Sequence, residues 1–326
     1  MTMTEREPPL LEVRSLTKEY PLIGAFRKRM GTIRALDDFS LAVRQGETVG
    51  LVGESGSGKS TAGRVIARLV EATSGSIVFQ NRDITNATGA KLRGWRRDLQ
   101  MIFQDPDTSL NPKLRVGDIV SEPVRNYTRL SGRQAQTLAA ELLLRVGLSA
   151  DACAKYPHEF SGGQKQRIGI ARALALNPKL IVADEPVSAL DMSVQAQVLN
   201  LMRDLQQESG LSYLFISHDL SIVHAISDRI GVMYAGRLIE WADKRSLYRT
   251  PLHPYTQQLI AAIPVPDPRL RANRIVPQDE PPGPAPRMSG CAFRARCGFA
   301  KPACAEIVPS LKPAAADHQV ACHLYD

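Results

Sequence analysis

The sequence has no run of about 18 apolar residues, the length that a helix needs to cross a bilayer. We therefore expect a chain that does not span a membrane. Its first residues, Met1 to Pro9, are polar and lack the apolar core of a secretory signal, which predicts a protein that stays in the cytoplasm. Internal repeats are also lacking. A chain of 326 residues that is 44% hydrophobic is long enough for one large domain, with or without an appendage.

Basic residues outnumber acidic residues only modestly, 41 to 33, which gives a net charge of +8. Such an excess suits nucleic acid, an anionic membrane surface or nucleotide phosphates, and equally a solvated surface without a dedicated partner. The charge therefore selects no function. The long basic segment between Tyr20 and Leu36, with its cluster Arg27–Lys28–Arg29, is expected to form a surface loop.

Short apolar runs alternate with helix-like segments from about Leu10 to Arg249. This alternation predicts an α/β domain with a mostly parallel sheet. Eight prolines between residues 264 and 286 exclude a helix there and favour an extended linker. We expect a main domain at 10–250, a segment with the linker at 251–286, and a cysteine-bearing tail at 287–326. The predicted strands are 47–52, 99–103, 180–183 and 214–216, and the predicted helices are 60–69, 133–146 and 191–207.

Residues 53–60 read Gly-Glu-Ser-Gly-Ser-Gly-Lys-Ser, which fits G-x-x-x-x-G-K-[ST] between a predicted strand and a predicted helix. Glycines let the backbone form a nest of N–H groups around phosphate oxygens, and the helix start adds its positive dipole end. Lys59 would bind the β- and γ-phosphates, and the Ser60 hydroxyl would ligate Mg²⁺. A glycine-rich turn with a chance lysine is the alternative. The predicted nucleotide-binding residues are Gly53, Glu54, Ser55, Gly56, Ser57, Gly58, Lys59, Ser60 and Thr61.

The apolar strand Leu180–Ala183 ends in two acids, Asp184 and Glu185. A strand buried on both faces carries carboxylates only at its carboxyl edge, where open α/β sheets bind ligands. Asp184 is then placed to hold the magnesium shell, and Glu185 to polarise a water. An acid that merely starts a helix is the alternative for Glu185. Together with the phosphate motif, this strand predicts a nucleoside-triphosphatase.

Residues 160–167, Phe-Ser-Gly-Gly-Gln-Lys-Gln-Arg, resemble the LSGGQ signature of the ABC ATPases, with Phe160 in place of leucine. Ser161 and the two glycines are expected to open a helix over 169–176 as an anion-binding N-terminus. The resemblance implies a P-loop NTPase fold with a mixed sheet core, an antiparallel β subdomain and a helical subdomain, plus a small C-terminal Cys-rich extension. It also implies a dimer in which ATP, held by one chain's phosphate loop, meets the other chain's Ser161, Gly162, Gly163 and Gln164.

Further family marks follow in order. Tyr20 resembles the aromatic residue that stacks on adenine, and Gln104 the glutamine that touches magnesium and the attacking water. Residues 188–191 resemble the dimer-contact loop, through Ser188 and Asp191. His218 resembles the switch histidine at the γ-phosphate. The resemblance thus implies ATP and Mg(II) as cofactors, catalytic Glu185, His218 and Gln104, and magnesium ligands Ser60, Gln104 and Asp184.

Three segments narrow the resemblance to the second-ATPase type of dipeptide and oligopeptide importers: the basic segment after Tyr20, residues 104–112 and residues 253–259. This implies two transmembrane permease subunits and a second ATPase subunit, identical or homologous, as partners. An extracytoplasmic substrate-binding protein would be an indirect partner. The chain would lie at the cytoplasmic side of the inner membrane as a peripheral subunit.

The solute stays open between peptides, nickel complexes, opines and glutathione. A soluble ABC ATPase acting on nucleic acid or ribosomes is the competing function. Such proteins carry long coiled-coil insertions or two ATPase halves in one chain, and this sequence has neither. No nucleic-acid partner is therefore expected.

Four of the five cysteines lie after residue 290, spaced C-x5-C-x6-C-x17-C. In a cytosolic protein, clustered thiols favour a metal over disulfides. The close cysteine pairs of structural zinc sites are lacking, and four thiolates suit a soft metal or an iron–sulfur cluster. The Cys-Ala-Phe-x-x-x-Cys segment resembles the same importers, which implies a four-iron, four-sulfur cluster on Cys291, Cys297, Cys304 and Cys322. Zinc and reduced structural cysteines are the alternatives, and Cys153 is interpreted as a buried small residue.

Overall fold

The computed structural model describes residues 8–23, 29–263 and 289–326. The strands are β1 Leu11–Ile23, β2 Arg29–Val43, β3 Thr48–Val52, β4 Ser74–Phe79, β5 Arg82–Asp83, β6 Leu99–Ile102, β7 Leu180–Asp184, β8 Ser212–Ile216, β9 Arg229–Tyr234, β10 Arg237–Asp243, β11 Lys312–Ala315 and β12 His318–Val320. The helices are α1 Lys59–Ile66, α2 Gly89–Asp98, α3 Pro106–Ser109, α4 Val116–Tyr127, α5 Gly132–Arg145, α6 Gly162–Leu174, α7 Met192–Ser209, α8 Leu220–Ile226, α9 Lys244–Arg249, α10 Pro254–Ala261 and α11 Ala303–Glu306. Over these ranges, no helix combines the length and apolar character that crossing a membrane requires.

The chain divides into two compact units. The first unit comprises Met1–Val43, Thr48–Asn86 and Ser217–Asp326, and the second comprises Arg44–Glu47 and Ala87–Ile216. The three segments expected from the sequence cut the chain at other places, and that division stays a prediction.

The first unit contains two sets of paired strands. One is an antiparallel sheet in the order β2-β1-β4-β5. The other runs β11-β12-β10-β9-β3, in which only β3 and β9 are parallel. Strand β3 is fully buried, as its sequence Thr-Val-Gly-Leu-Val requires, and it leads directly into the phosphate motif. The cysteine-bearing tail joins this unit through the pairing of β12 with β10.

The second unit contains the parallel strands β8-β7-β6 and a group of helices. Strand β7 is fully buried and ends in Asp184. Helix α5 begins with a capping box, in which the Ser131 hydroxyl accepts from the Gln134 N–H, and it buries Ala135, Ala139, Leu142 and Leu143 on one face. Parallel strands alternating with helices confirm the α/β prediction, and the antiparallel sheet of the first unit agrees with the fold that the family resemblance implies.

Three local expectations differ from the structure. The segment after Tyr20 is not one long loop, since β1 continues to Ile23 and β2 starts at Arg29; Arg27 and Lys28 lie outside the described residues. The signature helix does not start at 169 but at Gly162, because Ser161 caps it. Cys153 is half-buried, in a 3₁₀ turn, rather than fully buried. The proline-rich stretch 264–286 also lies outside the described residues.

Candidate nucleotide-binding site

The phosphate motif forms a loop closed around its own lysine. The Lys59 ammonium is buried and donates hydrogen bonds to the carbonyls of Gly53 and Glu54, each at 2.8 Å. Helix α1 starts at Lys59, and the loop before it ends in Gly58, whose φ of +101° is left-handed. Ser60 and Thr61 follow in the first turn of α1. The loop therefore places a cation, a hydroxyl and a helix N-terminus together, as binding of a phosphate chain requires.

Close backbone packing explains two of the loop glycines. A Cβ on Gly53 would lie 2.2 Å from the Met233 carbonyl oxygen, and one on Gly58 would lie 2.3 Å from the Ala35 carbonyl oxygen. Both neighbours are backbone atoms of the first unit, which cannot swing aside as a flexible side chain does. Only glycine fits at these positions.

Glu54 links the loop to the C-terminal part of the first unit. Its backbone N–H donates to the Tyr255 hydroxyl at 2.9 Å. Its two carboxylate oxygens accept from the two terminal nitrogens of Arg296, both at 2.9 Å. Glu54 was predicted from the sequence to bind nucleotide, but neither Tyr255 nor Arg296 was predicted as its partner. The only signals were the His-Pro-Tyr motif that contains Tyr255 and the position of Arg296 between two tail cysteines.

Two other predicted residues belong to the first unit. Tyr20 lies on β1 with 38% of its surface exposed, and the Lys18 ammonium stands 4.9 Å from its ring centroid. His218 is exposed and follows Ser217, whose N–H donates to the Leu51 carbonyl at 3.1 Å. This bond holds the chain before His218 beside β3, the strand that leads into the phosphate loop.

In the second unit, the predicted catalytic acid meets the predicted glutamine. Asp184 is buried at the end of β7, and Glu185 follows in a left-handed conformation with φ of +47°. That conformation is uncommon outside glycine, and it ends the extended backbone of β7. The Gln104 amide donates to a carboxylate oxygen of Glu185 at 3.1 Å. The Ser188 hydroxyl donates to the Glu185 carbonyl at 3.1 Å.

The signature residues present an exposed helix start. Ser161 caps α6, its hydroxyl accepting from the Gln164 N–H at 3.4 Å while the Gln164 side chain accepts from the Ser161 N–H at 3.0 Å. Ser161, Gly162 and Gln164 are exposed, whereas Gly163 is buried. A Cβ on Gly163 would lie 2.3 Å from the Val194 side chain. Asp191 is exposed as well. The surface combines a helix N-terminus with open access from solvent.

The four tail cysteines line one small cavity, together with His253, Phe293 and His323. Burial, together with the neighbouring thiols, raises the pKa of Cys291 and of Cys322. Within residues 8–23, 29–263 and 289–326, no three His, Cys, Asp or Glu side chains approach closely enough to hold a metal ion. The tail thus brings the four sulfur atoms to a common cavity without forming a finished metal site.

Comparisons with known proteins bear on the whole chain. The family pattern of ABC transporters matches residues 36–188, and that of the oligopeptide/dipeptide transporter C-terminal region matches residues 239–304. The chain is 52% identical to the oligopeptide transport ATP-binding protein AppF of Bacillus subtilis, over 100% of both chains. It is 52% identical to a probable peptide ABC transporter ATP-binding protein of Sinorhizobium fredii, over 97% of this chain and 90% of that one.

Solved structures agree with this similarity. A dimeric ATP-binding cassette in a post-hydrolysis state, bound to ADP and Pi, is similar with a TM-score of 0.65 and 31% identity, covering 72% of this chain and 99% of that one. The protein cbiO1 from Clostridium perfringens, part of the ABC transporter complex cbiONQ, is similar with a TM-score of 0.64 and 27% identity. The similarity covers 75% of this chain and 92% of that one.

Proposed function

The chain belongs to the ABC transporter family, with the C-terminal region of its oligopeptide/dipeptide branch, and from this premise we propose that it is the ATP-hydrolysing subunit of an importer of short peptides. The observation that carries the proposal is the phosphate loop, in which Lys59 is held by the loop's own carbonyls at the start of α1. A loop of this kind binds the phosphates of a nucleoside triphosphate. The substrate class follows from the named relatives, and nickel complexes, opines or glutathione are the competing solutes.

The residues divide the chemistry as follows. Lys59 neutralises phosphate charge, and Ser60, Gln104 and Asp184 would ligate Mg(II), which supplies further charge neutralisation when bound. Glu185 accepts a proton from the attacking water or orients it, and the 3.1 Å hydrogen bond from Gln104 supports that role by fixing its carboxylate. His218 holds the transferring phosphate, and Tyr20 stacks on the adenine.

The exposed signature supports a dimer. A helix start that is capped by its own Ser161 and open to solvent is suited to receive the triphosphate held by a second ATPase subunit, with Ser188 and Asp191 in the contact between the chains. Two permease subunits would anchor this pair at the cytoplasmic side of the membrane. An extracytoplasmic binding protein would deliver the peptide.

Replacement of Glu185 by Gln tests the function. The variant should retain ATP with Mg²⁺ and lose turnover by about a hundredfold or more, because an amide cannot accept the proton that a general base takes. Steady-state ATP hydrolysis and equilibrium ATP binding measure the two effects separately. Normal hydrolysis by Glu185→Gln would exclude Glu185 as the base. A wild-type chain that retains no ATP would end the proposal altogether.

We further propose that the tail carries a four-iron, four-sulfur cluster. Support comes from the donor chemistry, since four thiols line one cavity with apolar neighbours, and thiolates are the ligands of such clusters. The raised pKa of Cys291 and Cys322 means that cluster binding must release their protons. The thiols are not yet gathered into a metal group, so binding must also draw them together.

Anaerobic purification tests the cluster. The protein should contain iron and acid-labile sulfide and absorb visible light, and Cys304→Ser should remove all three. Cys153→Ser, at the cysteine outside the tail, is the matched control and should keep them. Colourless protein with zinc would replace the cluster by the zinc alternative, and protein without any metal would favour reduced structural cysteines.

A further inference from the structure

The C-terminal tail and the phosphate loop meet at one residue, Glu54. Three parts of Glu54 are engaged at once: its N–H by the Tyr255 hydroxyl, its carbonyl by the Lys59 ammonium, and its carboxylate by Arg296. The tail and α10 therefore hold the loop residue whose carbonyl in turn positions the phosphate-binding lysine.

The Arg296–Glu54 pair has the features of a structural clamp rather than of a surface ion pair. It is bidentate, with both N–O distances at 2.9 Å, and the Arg296 side chain is only 8% exposed. The hydrogen bond and charge of Glu54 raise the pKa of the Arg296 guanidinium, so the cation persists at every working pH. Fork-to-fork geometry and burial make such a pair stronger and more directional than an exposed one.

Arg296 is fixed from the other side by an aromatic cluster. Its guanidinium carbon lies 5.6 Å from the ring centroid of Phe293. Phe293 is buried and packs edge-on against Tyr234 and Tyr255, with ring-centroid distances of 5.4 Å and 5.5 Å. Tyr255 is positioned by His253, whose Nδ1 accepts from the Tyr255 N–H at 3.0 Å. Phe293 and Arg296 lie between Cys291 and Cys297, so the same segment that lines the cysteine cavity also supports the loop.

We propose that Arg296 is a positioning residue for nucleotide binding, which together with Tyr255 holds Glu54 and thereby sets the geometry of the phosphate loop from the cysteine-bearing tail. The proposal rests on the ATPase function proposed above. Because coupling between two sites is reciprocal, a properly folded tail raises the affinity for ATP, and bound ATP stabilises the fold of the tail. Arg296 then supports nucleotide binding from outside the phosphate loop, through its bidentate contact with Glu54.

Replacement of Arg296 by Gln in the full-length chain tests the role. The KM for ATP and the equilibrium dissociation constant of ATP should both rise about tenfold, whereas kcat should change less than about twofold, because the loop binds ground and transition states alike. Arg296→Lys keeps the charge but loses the fork, and should recover part of the affinity. Lys312→Gln is the matched control, since it breaks an exposed tail ion pair, Lys312 to Asp326 at 2.8 Å, that does not touch the loop.

A double-mutant cycle separates positioning from general loss of stability. Glu54→Gln removes the carboxylate on the loop side of the pair and leaves the aromatic cluster intact. It should therefore raise the KM for ATP by a similar factor, even if Arg296→Gln fails to fold. The double variant Glu54→Gln/Arg296→Gln should be no worse than either single variant, because both remove one interaction. Additive losses, or an unchanged ATP affinity in both single variants, would overturn the proposal. If the wild-type chain itself binds no ATP, the proposed function fails instead.

Discussion

The phosphate loop and the signature segment are both helix starts rich in small residues, yet their surroundings are opposite. The loop is enclosed by its own unit, with backbone carbonyls against Gly53 and Gly58 and side chains clamped on Glu54. The signature start is exposed at Ser161, Gly162 and Gln164, and the Ser161–Gln164 capping box closes it with hydrogen bonds from its own residues. The enclosed start is supported within its own chain, and the open access of the signature start is what the proposed binding of a second chain's ATP would require.

The largest effect should come from filling the enclosed loop. Gly58→Ala adds a Cβ that would lie 2.3 Å from the Ala35 carbonyl oxygen, at a φ of +101°. Left-handed backbone costs about 1–2 kcal/mol for a residue with a Cβ, and the clash adds to this. We expect ATP binding to weaken about a hundredfold or more, measured by titration calorimetry.

Gly56→Ala sharpens that experiment. Gly56 also has a left-handed φ, of +79°, but nothing lies within 4 Å of the added Cβ. The strain then acts alone, and the loss should be about tenfold. Equal losses in the two variants would mean that enclosure by the Ala35 carbonyl is unimportant.

The support of the loop should also depend on pH. Burial lowers the pKa of His253 to about 4 from its usual value of 6.5, so the folded chain keeps this imidazole neutral where the unfolded chain protonates it. The unfolded state therefore binds more protons between pH 4 and 6.5, and stability rises with pH in that window. The contribution is complete above pH 6.5 and is lost on acidification toward pH 4, by about 3 kcal/mol in all.

Denaturant unfolding at several pH values measures this slope. His253→Asn keeps an acceptor for the Tyr255 N–H and should flatten the dependence. His158→Asn, at an exposed histidine, should leave it unchanged. A wild-type unfolding free energy that is constant between pH 4 and 6.5 would contradict the burial of a neutral His253.

The sequence predicted the local parts of both regions better than their surroundings. The phosphate loop, β3 and β7 were predictable because an apolar run followed by glycines or acids is a signal within about ten residues. The clamp on Glu54 was not, since its partners lie 201 and 242 residues further along the chain and no local pattern pairs them. Ser161 was expected to open the signature helix, but the first helical residue was set at 169 rather than 162, because two glycines weaken a helix prediction. The capping box of Ser161 with Gln164 starts α6 at Gly162.

A substitution at the exposed signature start should lower ATP turnover rather than ATP binding. Ser161→Ala removes the cap hydroxyl and a donor for a partner's phosphate, so ATP hydrolysis should fall about tenfold. ATP binding to the isolated chain should not change. Ser131→Ala is the matched control, because Ser131 and Gln134 form the same capping box at α5 outside the signature. Both variants lose about 1 kcal/mol of stability, so equal turnover in the two would remove the case for a role of Ser161 in a second chain's site.

The smallest effect is expected at an ion pair that joins the signature helix to the stretch after Gln104. The Lys165 ammonium lies 2.5 Å from an Asp107 carboxylate oxygen, and Asp107 is 67% exposed at its side chain. Water and salt screen such a pair, so Lys165→Gln should lower the unfolding free energy by less than about 1 kcal/mol. Denaturant unfolding at low and high salt checks this, since the difference between variant and wild type should shrink as salt rises. A larger, salt-independent loss would mean that the signature helix has internal support of the kind found at the phosphate loop, and the contrast between an enclosed and an exposed start would no longer hold.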